Sequence, residues 1–183
     1  KNSLKLVKKD ISTVKIVMSG AGAAGTAVAR LLVKSGAKNI IAFDKDGAIN
    51  ASRSREDEMR AWFIDHSNPT NFAGDIHEAM SGADVFIGVS APNVLTEADI
   101  ASMGAKSIVF ALANPDPEVD PVVARKYAAV VATGRSDQPN QINNVLAFPG
   151  IFRGLLDAQA HKITDDLLIA AANAIADCVS ASQ

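Results

Sequence analysis

The residues best suited to chemistry in this chain are a glycine-rich run, one acid and two amide-rich segments. Gly20-Ala21-Gly22-Ala23-Ala24-Gly25 has the G-x-G-x-x-G spacing that brings a main chain up to a pyrophosphate. Gly20 permits a tight turn, Gly22 lets the backbone approach the phosphates, and Gly25 allows a helix to pack close to a sheet. Asp44 follows about 20 residues later, where a carboxylate can accept hydrogen bonds from an adenosine ribose. A carboxylate there repels a 2′-phosphate. NAD is therefore favoured over NADP, with Lys45, Arg53 and Arg55 the nearby residues that would suit NADP.

The amide-rich segments follow two apolar runs. Ser107-Ile108-Val109-Phe110-Ala111-Leu112 leads into Ala113-Asn114-Pro115-Asp116-Pro117-Glu118, and Pro115 keeps Asn114 out of the helical region as the strand stops. A carboxamide both donates and accepts, which suits a nicotinamide ribose or a hydroxy acid. An Asx-turn that merely ends the strand fits the same spacing. Ala128-Ala129-Val130-Val131-Ala132 leads into a polar loop from Thr133 to Asn144 with far more amides than a connector needs. Asn143 and Asn144 open the next helix, so one caps it and leaves the other for a ligand. Ser90, just beyond the apolar run Asp84 to Val89, is a further candidate for cofactor contact.

These groups need rigid elements beneath them. Val14-Lys15-Ile16-Val17-Met18, short, apolar and rich in β-branched residues, reads as a buried parallel strand feeding the glycine run. Ala27, Val28, Leu31 and Leu32 recur at helical spacing until Gly36, which stands where a helix ends, and Asn39 to Phe43 forms a second strand. Met59, Trp62 and Phe63 make the apolar stripe of a surface helix, Asp75 to Met80 a short helix bearing an exposed His77, and Thr96 caps a helix over 97–103. Pro121 opens another helix, to Tyr127. Pro149 interrupts the helix opened at Asn143 and Asn144, and Thr164 with Asp165 and Asp166 starts an Ala-rich helix reaching about Val179. His66 and His161 have no assigned chemistry. The expected fold is an α/β, doubly wound parallel sheet of the Rossmann type, with strand order near 3-2-1-4-5 and room for a degenerate third strand.

Composition narrows the ligand class. With 183 residues and 48% hydrophobic content the chain supports one well-buried domain, and a net charge of −2 with interspersed signs offers no basic face to nucleic acid or to a membrane. No apolar run reaches membrane-spanning length. A small-molecule ligand is favoured. The single Cys178, in the Ala-rich helix, reads as a buried, inert thiol, and a soluble, reducing, cytoplasmic setting follows. No zinc-ligand spacing or Ser-His-Asp order is present.

Taken together, the glycine run, Gly88-Val89-Ser90, Asn114-Pro115-Asp116-Pro117-Glu118, Gly134-Arg135-Ser136-Asp137 through Asn140-Gln141-Ile142-Asn143-Asn144-Val145, and Phe148-Pro149-Gly150 resemble the malic enzyme family over residues 1–180. The resemblance is to the C-terminal, NAD-binding domain of the compact bacterial and archaeal type. It implies oxidative decarboxylation of (S)-malate to pyruvate and carbon dioxide, with NAD taking the hydride. By that resemblance Gly20, Ala21, Gly22, Ala23, Ala24 and Gly25 form the cofactor loop, Asp44 is the ribose acid, and Asn114 and Asn144 meet both substrate and nicotinamide. Gln138 stands where relatives carry an aromatic residue.

The family's Tyr and Lys acid-base pair and the acidic ligands of its Mg or Mn ion lie upstream of the glycine loop, and no Asp-Asp-x-x-Gly-Thr segment precedes Val14. No catalytic residue and no metal ligand is assigned to this chain. Residues 1–13, with Leu4, Val7 and flanking lysines, read as the tail of a linking helix from an absent N-terminal catalytic domain, and 14–183 as the NAD-binding domain. The expected object is a piece of a longer, homo-oligomeric enzyme, itself inactive on malate. Competing expectations are the malolactic relative, which releases lactate, and a stand-alone NAD-binding module.

Overall fold

A computed structural model describes residues 1–179, so residues 180–183 of the expected domain lie outside the described part. Six strands form one sheet: β1 (Lys15–Ser19), β2 (Asn39–Asp44), β3 (Gly47–Ala48), β4 (Val85–Gly88), β5 (Ile108–Ala111) and β6 (Val130–Thr133). Their order is β3-β2-β1-β4-β5-β6, parallel throughout except for β3, which pairs antiparallel with β2. The third strand is thus degenerate, and it turns back because only Lys45 and Asp46 separate it from β2.

The register explains the core. Ile41, Val17, Phe86, Val109 and Val131 align across five strands on one face, while Ile40, Ile16, Val85, Ile108 and Val130 align on the other. The first row packs under α4 (Ile76–Met80), α5 (Glu97–Ala101) and α6 (Pro121–Ala124). Beneath the second lie α1 (Asn2–Val7), α2 (Ala23–Lys34) and α3 (Glu58–His66). Both faces are covered, which is why the strands are near-continuous apolar runs. Each fully buried large side chain, Phe86 and Phe63 among them, contributes on the order of 1.5–3 kcal/mol.

Local signals set the element ends. Gly36, at φ +104°, ends α2, and the Ala37 amide reaches back to the Leu32 carbonyl at 2.9 Å. Asp75 and Thr96 each close a capping box, on α4 and α5. Two expectations need correction. Pro149 does not interrupt a helix: a single 3₁₀ turn over Asn144–Leu146 ends first, and Pro149 sits in the first turn of α7 (Phe148–Asp157), where its missing N–H has no partner to lose. Cys178 is exposed rather than buried, because α8 (Asp165–Asp177) has no buried residue and Cys178 lies at its carboxyl cap.

The first residues belong to the same packed body. Val7 is buried with Leu4 and Ile11 against it or nearby in the second core, and Asn2 donates to the Ala176 carbonyl at 2.9 Å on α8. Lys9 reaches Asp84 at 2.6 Å, at the end of the sheet remote from the glycine loop.

Candidate functional site

The glycine loop leaves β1 at the point where the chain crosses from β2 on one side to β4 on the other. In such sheets the crevice beyond the strand ends is the ligand site. Gly20 has φ +102°, and a Cβ there would stand 2.6 Å from the Val89 carbonyl oxygen. A Cβ on Gly25 would overlap the Gly20 carbonyl. Both glycines therefore have structural reasons. Gly22 has none: its φ is −77°, and an added Cβ would meet nothing within 4 Å. It caps α2 without a side-chain hydrogen bond, so the amino end of a twelve-residue helix faces open space with its amides free of any cap.

Asp44 stands at the end of β2, as the fingerprint requires, but in company. Arg53 Nη2 lies 3.0 and 2.9 Å from its two oxygens, Arg60 Nε 3.3 Å from one, and the Asp46 amide 2.9 Å from the other. The four acceptor positions of the carboxylate are filled. A further donor to Asp44 would have to displace one of these, and Arg60 makes the longest contact. The two guanidinium groups also offset the repulsion that Asp44 alone would exert on a 2′-phosphate. Arg55 turns away and pairs with Asp65, while Lys45 pairs with Asp46.

Across the switch point, β4, β5 and β6 end around a crevice of about 670 Å³, lined by Val89, Leu112 to Pro115, Gly134 to Asp137 and Gln141 to Asn144. That volume suits a ligand of cofactor or metabolite size. Asn114 and Asn144 both line it and both are exposed. Neither carboxamide has a hydrogen-bond partner among the described residues, so Asn114 forms no Asx-turn. The peptide between Asn114 and Pro115 is cis. Asn143 is the cap, accepting from the Val145 amide at 3.0 Å, which leaves Asn144 facing the crevice.

The other amides of the loop are spent on holding its shape. Asn140 donates to the Val131 carbonyl at 3.1 Å, Gln141 to Gly134 at 3.3 Å, and Gln138 accepts from Arg125 at 2.7 Å. Arg135 lies at the rim, bound through two nitrogens to Asp137 at 2.8 and 2.7 Å. Its guanidinium holds the Asp137 carboxyl down at about 2.

In the sequence Arg53 is legible only as a charge near Asp44, Arg60 carries no signal, and Arg135 and Glu118 stand only as members of the two motifs after β5 and β6. Glu118 is fully buried directly beneath the crevice. Its signal was Gly88: a glycine at the end of an otherwise apolar strand marks a close approach, and a Cβ there would overlap the Glu118 carboxylate. Ser90, expected to meet cofactor, donates its amide to Glu118 at 2.9 Å and shares a hydroxyl contact with Ser19 at 2.7 Å. Among the described residues no group of three or more His, Cys, Asp or Glu side chains is placed to hold a metal ion. His66 bonds the Trp62 carbonyl and stacks on its ring, away from the site.

A parallel α/β sheet with a glycine turn at the switch point and an acid at the end of the next strand defines a dinucleotide-binding domain of the Rossmann type. A family profile described as "Malic enzyme, NAD binding domain" matches residues 1–183, and the chain belongs to that family. It is 48% identical over 182 residues to the NAD-dependent malic enzyme of Geobacillus stearothermophilus, covering 100% of this chain and 38% of that protein. With the bifunctional malic/malolactic enzyme of Bacillus subtilis (strain 168) it shares 46% identity over 184 residues, 100% of this chain and 45% of that one. The crystal structure of an NAD-dependent malic enzyme from Thermotoga maritima superimposes with a TM-score of 0.88 at 44% identity, over 93% of this chain and 46% of that one. Further relatives are named NADP-dependent malic enzymes. The chain thus spans less than half the length of these relatives.

Proposed function

We propose that this chain is the NAD-binding part of a longer enzyme that converts (S)-malate to pyruvate and carbon dioxide. Gly22 is the observation that carries the cofactor assignment, because neither backbone angle nor packing calls for a glycine there and an approaching pyrophosphate does. Gly20, Ala21, Gly22, Ala23, Ala24 and Gly25 bind the pyrophosphate through main-chain amides at the start of α2. Asp44 holds the adenosine ribose. Ser90, Asn114 and Asn144 face the nicotinamide end, and the two carboxamides orient the substrate by donating to its oxygens and accepting from its hydroxyl. NAD held there would supply the acceptor for the hydride that leaves C2 of malate.

The metal that the family implies, Mg or Mn, has no fitting donor set among the described residues, and no step is assigned to it here. The Tyr and Lys acid-base pair and the metal ligands are assigned to an N-terminal part, to which residues 1–13 form the link. Asp44 at the end of β2 favours NAD as the ribose partner, while Arg53 and Arg60 beside it are the residues that would suit NADP. The Bacillus subtilis relative favours a second reading, release of lactate with the cofactor retained.

The test is calorimetric titration of this chain with NAD and NADP, wild type beside Gly22→Ala and Gly25→Ala. Gly22→Ala should keep its stability to within about 1 kcal/mol, as glycine-to-alanine changes in an open extended position do, and lose NAD affinity about tenfold or more. Gly25→Ala should lose stability by about 1–3 kcal/mol through overpacking. Equal NAD affinity in Gly22→Ala and wild type would sink the assignment. Product analysis on the longer protein, pyruvate against lactate, separates the two reactions, and this chain alone should turn over neither.

A further inference from the structure

The dinucleotide reading leaves one buried group unused. Glu118 follows the Asn-Pro-Asp-Pro segment, and none of its surface reaches solvent. One carboxylate oxygen accepts from the Ser90 amide at 2.9 Å and from the Ser90 hydroxyl at 3.3 Å, and the other accepts from the Ala113 amide at 3.1 Å. Ser90 Oγ in turn lies 2.7 Å from Ser19 Oγ. These residues end β1, β4 and β5 or stand just beyond them. A single side chain therefore ties together the carboxyl ends of β4 and β5 under the crevice, and Ser90 carries the link on to Ser19 at the end of β1.

The packing is built around that carboxylate. Gly88, the last residue of β4, has no side chain where one would overlap it. The Glu118 carbonyl takes the Leu95 amide at 2.9 Å and the Pro117 carbonyl the Asn93 amide at 3.1 Å, which lash the loop after β5 to the loop after β4. All of its donors are neutral, and no Lys, Arg or His bonds it among the described residues. Burying a carboxylate without a cation opposes folding, so the arrangement is explained by what it aligns rather than by stability. What it aligns is Val89 and Asn114, the neighbours of its two amide donors, and both line the crevice.

We propose that Glu118 is a positioning residue for the nicotinamide half of the dinucleotide site. It fixes the ends of β4 and β5 so that the crevice floor at Val89 and the Asn114 carboxamide are held in one geometry. The adenosine half, at Gly22 and Asp44, does not depend on it. Two acceptor oxygens meet two amide donors. Glutamine supplies one acceptor and one donor, and so sets an N–H against an N–H at Ser90 or Ala113.

This inference rests on the dinucleotide reading, and the experiment separates the two. NAD and ADP are titrated calorimetrically into the wild-type chain and into Glu118→Gln, below the melting transition of each. ADP carries the adenosine and diphosphate but no nicotinamide ribose. Glu118→Gln should bind NAD about tenfold more weakly while its ADP affinity stays within about twofold, a split that general loosening of the fold does not produce. Should Glu118→Gln fail to fold, Glu118→Asp carries the same comparison, since it keeps both acceptors but is a methylene too short to reach both amides. A parallel loss of NAD and ADP affinity, or no loss of either, overturns the role of Glu118. Wild-type NAD binding no tighter than ADP binding also overturns it, because the nicotinamide half then adds nothing to position. A wild-type chain that binds neither ligand overturns the dinucleotide reading itself, and the inference with it.

Discussion

At the scale of single residues, Asp44 shows how one carboxylate can serve two ends. Its oxygens are occupied by Arg53, Arg60 and the Asp46 amide, and its side chain is only 18% exposed. Arg53 and Arg60 are themselves largely buried, at 19% and 25% side-chain exposure. Removing the acid leaves two partly desolvated cations facing the proposed ribose position. Asp44→Ala should therefore do more than weaken NAD. It should lower NAD affinity about tenfold and raise NADP affinity, because Arg60 loses its carboxylate partner and Arg53 keeps only Asp46, at 3.7 Å, leaving positive charge for a 2′-phosphate. Titration of both cofactors at one ionic strength checks this. NADP affinity that falls in step with NAD would mean that the arginines do not reach the 2′ position.

At the scale of elements, the best-defined ion-and-cap cluster lies on α5, away from the site. Asp99 accepts from the Thr96 amide at 2.6 Å, the Thr96 hydroxyl at 2.7 Å and His77 Nδ1 at 2.9 Å. Burial pushes its carboxyl up, but these hydrogen bonds together outweigh burial and hold it below the ordinary 3.8. A carboxyl lowered in the folded state stabilises fully above 3.8, and that contribution disappears as the pH falls through the lowered value. Thermal melts from about pH 6 to about pH 2 should thus show a loss of stability below about pH 4 that is shallower in Asp99→Asn than in the wild type. Identical profiles would show that the cap carries no linked proton.

The same scale shows what the sequence could disclose. Strands read from β-branched runs fall within one or two residues of their observed ends, because parallel strands buried on both faces leave few alternatives. The glycine loop, Asp44 and the cap at Thr96 are local patterns, and they stand where spacing put them. The Asn143 and Asn144 pair was legible as one cap and one open amide, but the assignment needed the turn geometry. Glu118 was not legible as a site element: its partners Ser90 and Ala113 become neighbours only when β4 pairs with β5. Cys178 misled for a related reason. An alanine-rich helix looks like one that packs inside, yet α8 lies on the surface of this body with no buried residue.

At the scale of the whole molecule, apolar surface is concentrated on one segment. Val145, Leu146, Phe148, Phe152 and Leu156 are each between 49% and 75% exposed, and α7 buries none of its residues. Phe148 and Phe152 pack on each other, with ring centroids 4.7 Å apart, rather than into the core. No helix among the described residues is long and apolar enough to cross a membrane. An apolar face of this kind, continuous along one helix, drives association when nothing else covers it. The pairing expected for this chain alone is a two-fold one in which α7 meets α7, two-fold dimers being the commonest closed assembly of identical chains. Sedimentation velocity over a concentration series up to about 100 µM, a range that detects weak dimers, should show the mean mass rising towards a dimer. Phe152→Lys with Leu156→Lys should hold the chain monomeric without lowering its melting temperature, because neither side chain is buried in the fold. A wild-type chain that stays monomeric throughout would show that α7 does not bind its own copy.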